Sequence, residues 1–175
     1  MFRILFFYLF LLIPFYASAE LRIDITQGNT EPIPMAILDF NSKNSEEKKL
    51  SKNINKVIKN NLSRSGLFLM LPKKLFIDDQ INFEERPSFP DWRLTTAQGL
   101  VYGKVGINKK ELNIEFRLWD ILSEKQMVAQ QLTTEVSNWR RIAHVISDII
   151  YKRITGESGY FDSRIVYISE SGSKM

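Results

Sequence analysis

The sequence predicts an α/β fold in which a mixed sheet of about five strands is packed with two long helices. Apolar residues recur at helical spacing in residues 50–62 and 142–154, which indicates two amphipathic helices. An apolar run of strand length at residues 35–40 and strict apolar-polar alternation at residues 111–121 indicate strands. The order strand, helix, strand in the first half favours a parallel pair of strands joined by a right-handed crossover.

The first 19 residues have the pattern of a secretory signal peptide. Arg3 supplies a positive region, residues 4–15 are almost purely apolar, Pro14 breaks the helix, and small residues precede a cleavage point after Ala19. The apolar run is about a dozen residues, short of the roughly 20 that span a bilayer as a helix. We therefore expect an exported chain that does not insert into the membrane after cleavage. An uncleaved anchor stays the alternative.

The composition is that of an ordinary globular domain. Cleavage would leave 156 residues (175 minus 19), and the formal charge of +4 would become +3 because Arg3 is removed. The chain is 44% hydrophobic and 25% charged, which suits one packed domain. It contains no Cys, which excludes disulfides and a lipid-anchored N-terminal Cys. Stability must therefore come from packing.

The expected mature chain begins with a short segment that has the alternation of a β-strand. In residues 20–28, ELRIDITQG, an extended backbone would carry one apolar face and one polar face. Residues 29–34, NTEPIP, form a connector whose two prolines cannot donate ladder hydrogen bonds. Two interpretations of residues 20–34 stay open at this point: an edge strand of the chain's own sheet, which the alternation alone favours, and an interaction strand followed by a hinge.

The α/β domain is predicted at residues 35–156, and its first elements follow from local signals. Residues 35–40 are a nearly continuous apolar run, which is typical of a core strand covered on both faces. Capping residues at 41–45, followed by two acids, favour a helix start, and Gly66 is expected to end that helix. A second strand is expected at residues 67–71. The apolar stripe of the helix comprises Leu50, Ile54, Val57, Ile58 and Leu62.

The second half predicts an antiparallel meander and a final helix. Residues 73–90 contain two prolines and several acids, and we interpret them as a surface loop. A short helix capped by Asp91 and closed by Gly99 is expected next. The final helix should start near Ser137 or Asn138 and end before Gly156. The three strands of the meander are expected at residues 100–106, 111–121 and 126–136.

The residues that carry chemistry do not favour an enzyme. His144 is the only His, so an imidazole-based metal site or triad has one candidate, inside a predicted helix. The adjacent acids 78–79 and 84–85 fit a solvated loop better than a catalytic pair, because neighbours in an extended chain point to opposite sides. No phosphate-binding glycine motif is present. We expect no catalytic residue, metal or cofactor. A hydrolase would require an exposed His144 in a cleft beside an acid.

One helix face is basic, and three tryptophans lie in periodic apolar patterns. We interpret the basic run as a solvated face and expect no nucleic-acid partner, because the chain is exported and its net charge is modest. The tryptophans are expected in the core or as helix anchors. The residues concerned are Lys48, Lys49, Lys52, Lys56, Lys59 and Arg64 in the basic run, and Trp92, Trp119 and Trp139.

Six blocks of the sequence together have the pattern of a known family. They are ELRIDITQG, PIPMAILDF, NLSRSGLF, PDWRLTTAQGLVYGKV, FRLWD and RIAHVISDIIYKRITGESGYFDSRIVYISESG. In these blocks the chain resembles the TolB family, the periplasmic component of the Tol-Pal system of Gram-negative bacteria. The resemblance runs from residue 20 to about residue 172, and its most specific block is the last.

The resemblance implies a function and partners. TolB proteins have an N-terminal α/β domain followed by a six-bladed β-propeller. Their N-terminal segment engages TolA, and the propeller binds Pal. The system supports outer-membrane integrity, invagination during cell division and bacteriocin import. The resemblance thus implies a periplasmic protein that binds TolA through Glu20, Leu21, Arg22, Ile23, Asp24, Ile25 and Thr26.

The end of the sequence departs from the family pattern. Residues 157–175 resemble the lead-in and first strand of the propeller, and the sequence stops there. We interpret the chain as a fragment with the β-propeller missing, so Pal binding is expected only where the propeller is present. A stand-alone periplasmic ligand- or polymer-binding domain is the alternative.

Overall fold

The structure, a computed structural model, describes residues 31–77 and 81–163 and contains five strands and three α-helices in these ranges. A single 3₁₀ turn at Lys73–Leu75 follows β2, and a second at Val136–Asn138 precedes the last helix. In chain order the elements are β1 (Ile33–Ile37), α1 (Ser45–Arg64), β2 (Phe68–Met70), α2 (Phe89–Leu94), β3 (Gly99–Asn108), β4 (Glu111–Asp120), β5 (Lys125–Glu135) and α3 (Trp139–Thr155).

The strands form one mixed sheet in the order β2-β1-β3-β4-β5. β1 pairs in parallel with β2 on one side and with β3 on the other, where Met35 lies opposite Gly99. β3, β4 and β5 form the antiparallel meander that the sequence predicts. The predicted fold class, a mixed sheet of about five strands with two long helices, is confirmed. β1 begins at Ile33, so the last two residues of the predicted hinge belong to the strand.

The two long helices cover one face of the sheet and form the larger core. α1 and α3 pack side by side, and their apolar stripes meet the inward residues of β1, β3 and β4. The alternation of β4 places its apolar residues on this face, as predicted. The fully buried residues of this core include Met35, Ile54, Ile58, Leu62, Val101, Leu112, Ile114, Phe116, Leu118, Ile146, Ile150 and Ile154.

A second core lies on the opposite face, and the sequence analysis missed it. Within the predicted surface loop, Ile81, Phe83 and Phe89 are buried against this face together with Trp92 of α2. The interpretation as a surface loop was therefore wrong for these residues. Their apolar side chains are spaced irregularly among acids and prolines, so the spacing does not predict that they are buried. The residues beneath them lie in β1, β3 and β4 or directly follow β1 and β4, and they are Ala36, Leu38, Leu100, Tyr102, Trp119 and Ile121.

Helix ends follow the predicted chemistry with local differences. The Asn44 side chain accepts a hydrogen bond from the Glu47 N–H and caps α1. α2 starts at Phe89 with Ser88 as its cap residue, so Asp91 lies in its first turn and does not cap it. α3 ends at Gly156, which adopts the left-handed conformation at φ 81°. Within the described residues, none of the helices combines the length and apolarity that crossing a membrane requires.

Candidate functional site

The predicted partner-binding residues, 20–26, lie outside the described residues, but the structure shows where this segment joins the domain. Glu31 and Pro32 are exposed, and Ile33 is buried, with its N–H bonded to the Leu67 carbonyl. β1 has a strand on each side. Within the described residues, β1 therefore offers no free edge to a further strand.

The carboxyl end of β1 opens into a polar cavity of about 370 Å³. Asp39 lies in it and accepts a hydrogen bond from Lys73 Nζ at 3.1 Å. Burial alone would raise the pKa of Asp39, but the hydrogen bond and charge of Lys73, with the charge of Lys59, outweigh it and lower that pKa. Lys48 and Lys52 of α1 also line the cavity. Ligands of open α/β sheets bind at such strand ends, and the lysines of α1 give this cavity a basic side.

The basic run predicted on the first helix lies along the exposed side of α1. Lys48, Lys49, Lys52 and Lys56 are exposed, as expected for a solvated face. Lys59 differs, since it is partly buried and its burial lowers its pKa although Asp39 opposes that change. The exposed lysines make this side of α1 positively charged next to the cavity.

A charged cluster lies on β3 and β4, on the sheet face opposite the two long helices. Lys104 Nζ lies 3.0 Å from Glu84 Oε1 and 3.2 Å from Glu115 Oε1. The hydrogen bond to Glu84 raises the pKa of Lys104. Lys104 and Arg117 both lie over the ring of Phe83, 4.6 and 4.4 Å from its centroid. These contacts join Phe83 and Glu84 to β3 and β4, and they engage the Glu84 carboxylate with Lys104.

His144 forms a polar contact between the two long helices. Its Nδ1 lies 2.8 Å from Asn61 Nδ2, and the same Asn61 nitrogen donates to Ser147 Oγ at 3.0 Å. Asp148 lies one turn further along α3, and its carboxylate accepts hydrogen bonds from the backbone N–H groups of Phe161 and Asp162. Among the residues that the structure describes, no hydrogen bond therefore joins His144 to an acid, which the hydrolase alternative requires.

The described residues contain no group of three or more His, Cys, Asp or Glu side chains that is arranged to hold a metal ion. Of the two acidic pairs in the sequence, residues 78–79 lie outside the described residues. In the other pair, Glu85 accepts a hydrogen bond from Asn82 Nδ2, while Glu84 bonds to Lys104. The two neighbours thus have separate partners and do not form a catalytic pair.

The three tryptophans are packed in or against the two cores. Trp92 and Trp119 are buried in the second core, and Trp119 Nε1 donates to Tyr102 Oη at 3.1 Å. Trp139 is partly buried at the start of α3 and packs against the first core. The prediction that these residues are core or helix anchors is confirmed.

The lead-in that follows α3 is docked on that helix. The Asp148 side chain accepts the N–H of Phe161 at 2.8 Å and the N–H of Asp162 at 3.0 Å. Phe161 also contacts the ring of Tyr151 edge-on. A Cβ on Gly159 would lie 2.6 Å from the Asp148 Cα, so this close approach needs glycine. Residues 164–175, which contain the predicted first propeller strand, lie outside the described residues.

Glu47 is a buried acid that sequence reasoning missed. Its carboxylate accepts the backbone N–H of Lys43 at 2.7 Å and that of Ile107, in β3, at 3.1 Å. Burial alone would raise the pKa of Glu47, but these backbone hydrogen bonds outweigh it and lower that pKa. Its position three residues after Asn44 is the sequence signal of a capping box. The contact to β3 has no local signal.

Comparisons with known proteins agree with this fold. A family model described as the TolB amino-terminal domain matches residues 21–127. The chain is 46% identical over 177 residues to the Tol-Pal system protein TolB of Pelagibacter ubique, an alignment that covers 96% of this chain and 40% of the relative. It is 43% identical over 159 residues to the Tol-Pal system protein TolB of Paramagnetospirillum magneticum, covering 90% of this chain and 36% of the relative.

A solved structure supports the same architecture. The crystal structure of TolB from Acinetobacter baumannii superimposes with a TM-score of 0.62 at 23% identity, and the match covers 82% of this chain and 33% of that chain. At that identity the likeness concerns the fold. The chain spans less than half the length of the curated relatives that it matches.

Proposed function

This chain belongs to the TolB amino-terminal domain family, and we propose that it is a Tol-Pal component that binds TolA through residues 20–26. The observation that carries the proposal is the match of its sequence to Tol-Pal system proteins TolB over 90% or more of its length. Because the chain spans only part of those relatives, the proposal concerns the N-terminal domain and its leading segment.

The position of β1 supports binding through the leading segment. β1 is the middle one of the three parallel strands, so its two edges are taken by β2 and β3. Glu31 and Pro32, which directly precede it, are exposed. In the proposed mode of binding, the backbone donors and acceptors of the leading segment pair with a sheet edge of the partner.

The chemistry of the segment suits strand addition. Paired with an edge of TolA, it would gain affinity from backbone hydrogen bonds and selectivity from alternate side chains. Leu21, Ile23 and Ile25 would be the apolar anchors, and Arg22 and Asp24 would set register and charge matching.

The proposed role is that of a binding protein in the periplasm. In it the chain, exported and cleaved after Ala19, supports outer-membrane integrity, invagination during cell division and bacteriocin import through TolA. No enzymatic activity is included. Pal binding is not proposed for this chain, because the resemblance assigns it to the propeller.

The proposal is tested by titrating the C-terminal domain of the cognate TolA with the periplasmic chain, which is the chain without residues 1–19. A form that also lacks residues 20–28 and two point variants are titrated in the same way. Ile23→Asp places a charge on the apolar face of the segment, and Thr30→Asp places the same charge in the connector, outside the proposed binding residues. We expect binding to vanish with the deletion and with Ile23→Asp and to persist with Thr30→Asp, all at an unchanged melting temperature. Binding that survives the deletion would refute the proposal. A lowered melting temperature for Ile23→Asp would assign the segment to the domain's own fold.

The polar cavity favours a second candidate, a periplasmic ligand- or polymer-binding domain. Lys48 and Lys52 of α1 line a concave site at the carboxyl end of β1, where an anionic group would meet both cations, while Lys73 in the same site is paired with Asp39. The probe is a set of soluble peptidoglycan fragments, whose peptide stems carry carboxylates. Saturable binding that is lost with Lys52→Glu and retained with Lys56→Glu would support this candidate. Absence of binding in the parent chain would exclude it for this ligand class.

A further inference from the structure

The outer edge of β5 is long and has little of the protection that edge strands usually carry. β5 has 11 residues, and within the described ranges no strand pairs with its outer edge. Only its two end residues, Lys125 and Glu135, are charged, and the nine between them, QMVAQQLTT, include no Pro or Gly. Charged side chains, Pro and short length are the usual devices that keep an edge from pairing. An edge without them along its middle is available for strand pairing.

The hydrogen bonds of β5 show which backbone groups point outward. The N–H of Val136 bonds to the carbonyl of Lys110, which sets the phase of the antiparallel ladder with β4. The even-numbered residues from 128 to 134 therefore bond to β4, and the odd-numbered ones face the open edge. The Met127 carbonyl agrees with this phase, since it accepts a hydrogen bond from Arg153 Nε at 3.0 Å. Ala129, Gln131 and Thr133 thus present their N–H and C=O groups outward.

We propose that the outer edge of β5 pairs antiparallel with β5 of a second copy of this chain, about a two-fold axis at Gln130. This register places Lys125 of each copy opposite Glu135 of the other, so both charged ends of the strand are matched at once. In this register the new hydrogen bonds join only residues whose N–H and C=O groups face the open edge. Ala129 of each copy lies opposite Gln131 of the other. The arrangement is closed and self-complementary, as a two-fold interface requires.

The side chains suit the same register. On the helix-covered face, Val128 lies opposite Leu132 of the second copy, and both are partly buried residues that pack against the first core. Ile149 of α3 is also partly buried against that core and lies one turn before Arg153, on the side of the helix that reaches β5. Pairing would therefore cover apolar surface on this face.

Other arrangements lose these matches. A shift of two residues places Lys125 opposite Thr133 in one direction and Glu135 opposite Met127 in the other, so in neither case do the two charges meet. A parallel arrangement in register would place like charges side by side.

One end of the edge limits the strength of the pairing. A β-bulge lies in the β4–β5 ladder next to Leu118, and Arg153 occupies the Met127 carbonyl. The regular part of the new ladder is therefore centred on residues 129–131, and the end charges are joined by their long side chains. A pairing of this size is expected to be weak and concentration-dependent.

The test is sedimentation velocity of the periplasmic chain over a range of concentrations, with three charge variants. Glu135→Lys is the cleaner single change, because Glu135 lies opposite Glu111 within its own sheet and the reversal relieves that like-charge pair. Lys125→Glu is the second single change, and the third variant combines both. Each single reversal turns two attractive pairs into two repulsive ones, so we expect dimerisation to weaken about tenfold or more. The double variant restores the matches and should dimerise like the parent chain.

A fourth variant tests the edge itself. Ala129→Pro removes an outward N–H without removing a hydrogen bond to β4, so it should abolish the dimer while the melting temperature shows that the domain is folded. The proposal is overturned if the parent chain is monomeric at every concentration, if the single reversals dimerise as well as the parent, or if dimers form only after deletion of residues 20–28. The last result would assign the edge to that segment. None of these variants alters residues 20–26, so TolA binding is a separate readout.

Discussion

Neutralising Glu47 should destabilise the domain far more than neutralising its neighbour Glu46. Glu47 is 3% exposed, and its two oxygens accept the N–H groups of Lys43 and Ile107. In Glu47→Gln, one oxygen is replaced by an NH₂ group that faces a backbone donor, so one charge-assisted hydrogen bond is lost and buried donors are left unpaired. Such bonds contribute about 1.5–3 kcal/mol each, and we expect a loss of about 2–4 kcal/mol in the free energy of unfolding at pH 7.

The assay is urea unfolding followed by tryptophan fluorescence, because Trp92 and Trp119 are 2% and 5% exposed and should report loss of the core. Glu46→Gln is the matched control. Glu46 is exposed in the same helical turn, so it should lose only its interaction with the helix dipole, about 0.3–1 kcal/mol. The melting temperature of Glu47→Gln should fall by roughly 3 °C for each kcal/mol lost.

The same effect should depend on pH in a defined direction. The pKa of Glu47 is lower in the folded protein than the ordinary value of 4.5, so its ionised form stabilises the fold. That contribution is complete above pH 4.5 and is lost as the pH falls through the folded pKa. The difference between the parent chain and Glu47→Gln should therefore be constant near neutral pH and shrink below pH 4.5. A loss no larger than that of Glu46→Gln, or a difference that does not change with pH, would refute the reasoning.

Two further substitutions probe contacts of α3. In Gly159→Ala, the new Cβ would meet the Asp148 backbone, so the lead-in must lift from the helix; we expect a loss of about 1–3 kcal/mol in urea unfolding. In Asn61→Ala, His144 and Ser147 lose the amide that joins α1 to α3, and the expected loss is also about 1–3 kcal/mol, measured in the same way.

Each of these two predictions has a control nearby. Gly106→Ala introduces the same methyl group at a strand position with no atom within 4 Å, and it should leave stability unchanged or slightly raised. Asn60→Ala removes the same side chain from an exposed position one residue away. If either control is as destabilising as its partner, the loss does not come from the contacts described.

The fold could be predicted where buried residues recur at the regular spacing of a helix or a strand. The stripe of α1, the stripe of α3 and the alternation of β4 each repeat within one element, so local spacing reveals them. The segment with Ile81 and Phe83 has no period, and its burial depends on a sheet face formed by distant strands. No local signal encodes that face.

The site was less predictable for a similar reason. The alternation in residues 20–26 and the resemblance suggested an interaction strand, but whether it is docked or free depends on surfaces outside it. The polar cavity joins Asp39, Lys52 and Lys73 from three separate parts of the chain. The open edge of β5 follows from sheet order alone, because its alternation is compatible with either a central or an edge strand.

The central position of β1 has a mechanical consequence. A partner that pulls on the leading segment would apply tension at Ile33, along the axis of a strand held on both sides. Hydrogen bonds such as those from Leu71 N–H to the Met35 carbonyl and from Leu38 N–H to the Val101 carbonyl cross that axis. Tension would shear them together instead of opening them one at a time. The domain should therefore resist traction from its N-terminus better than traction that peels away β5 at the sheet edge.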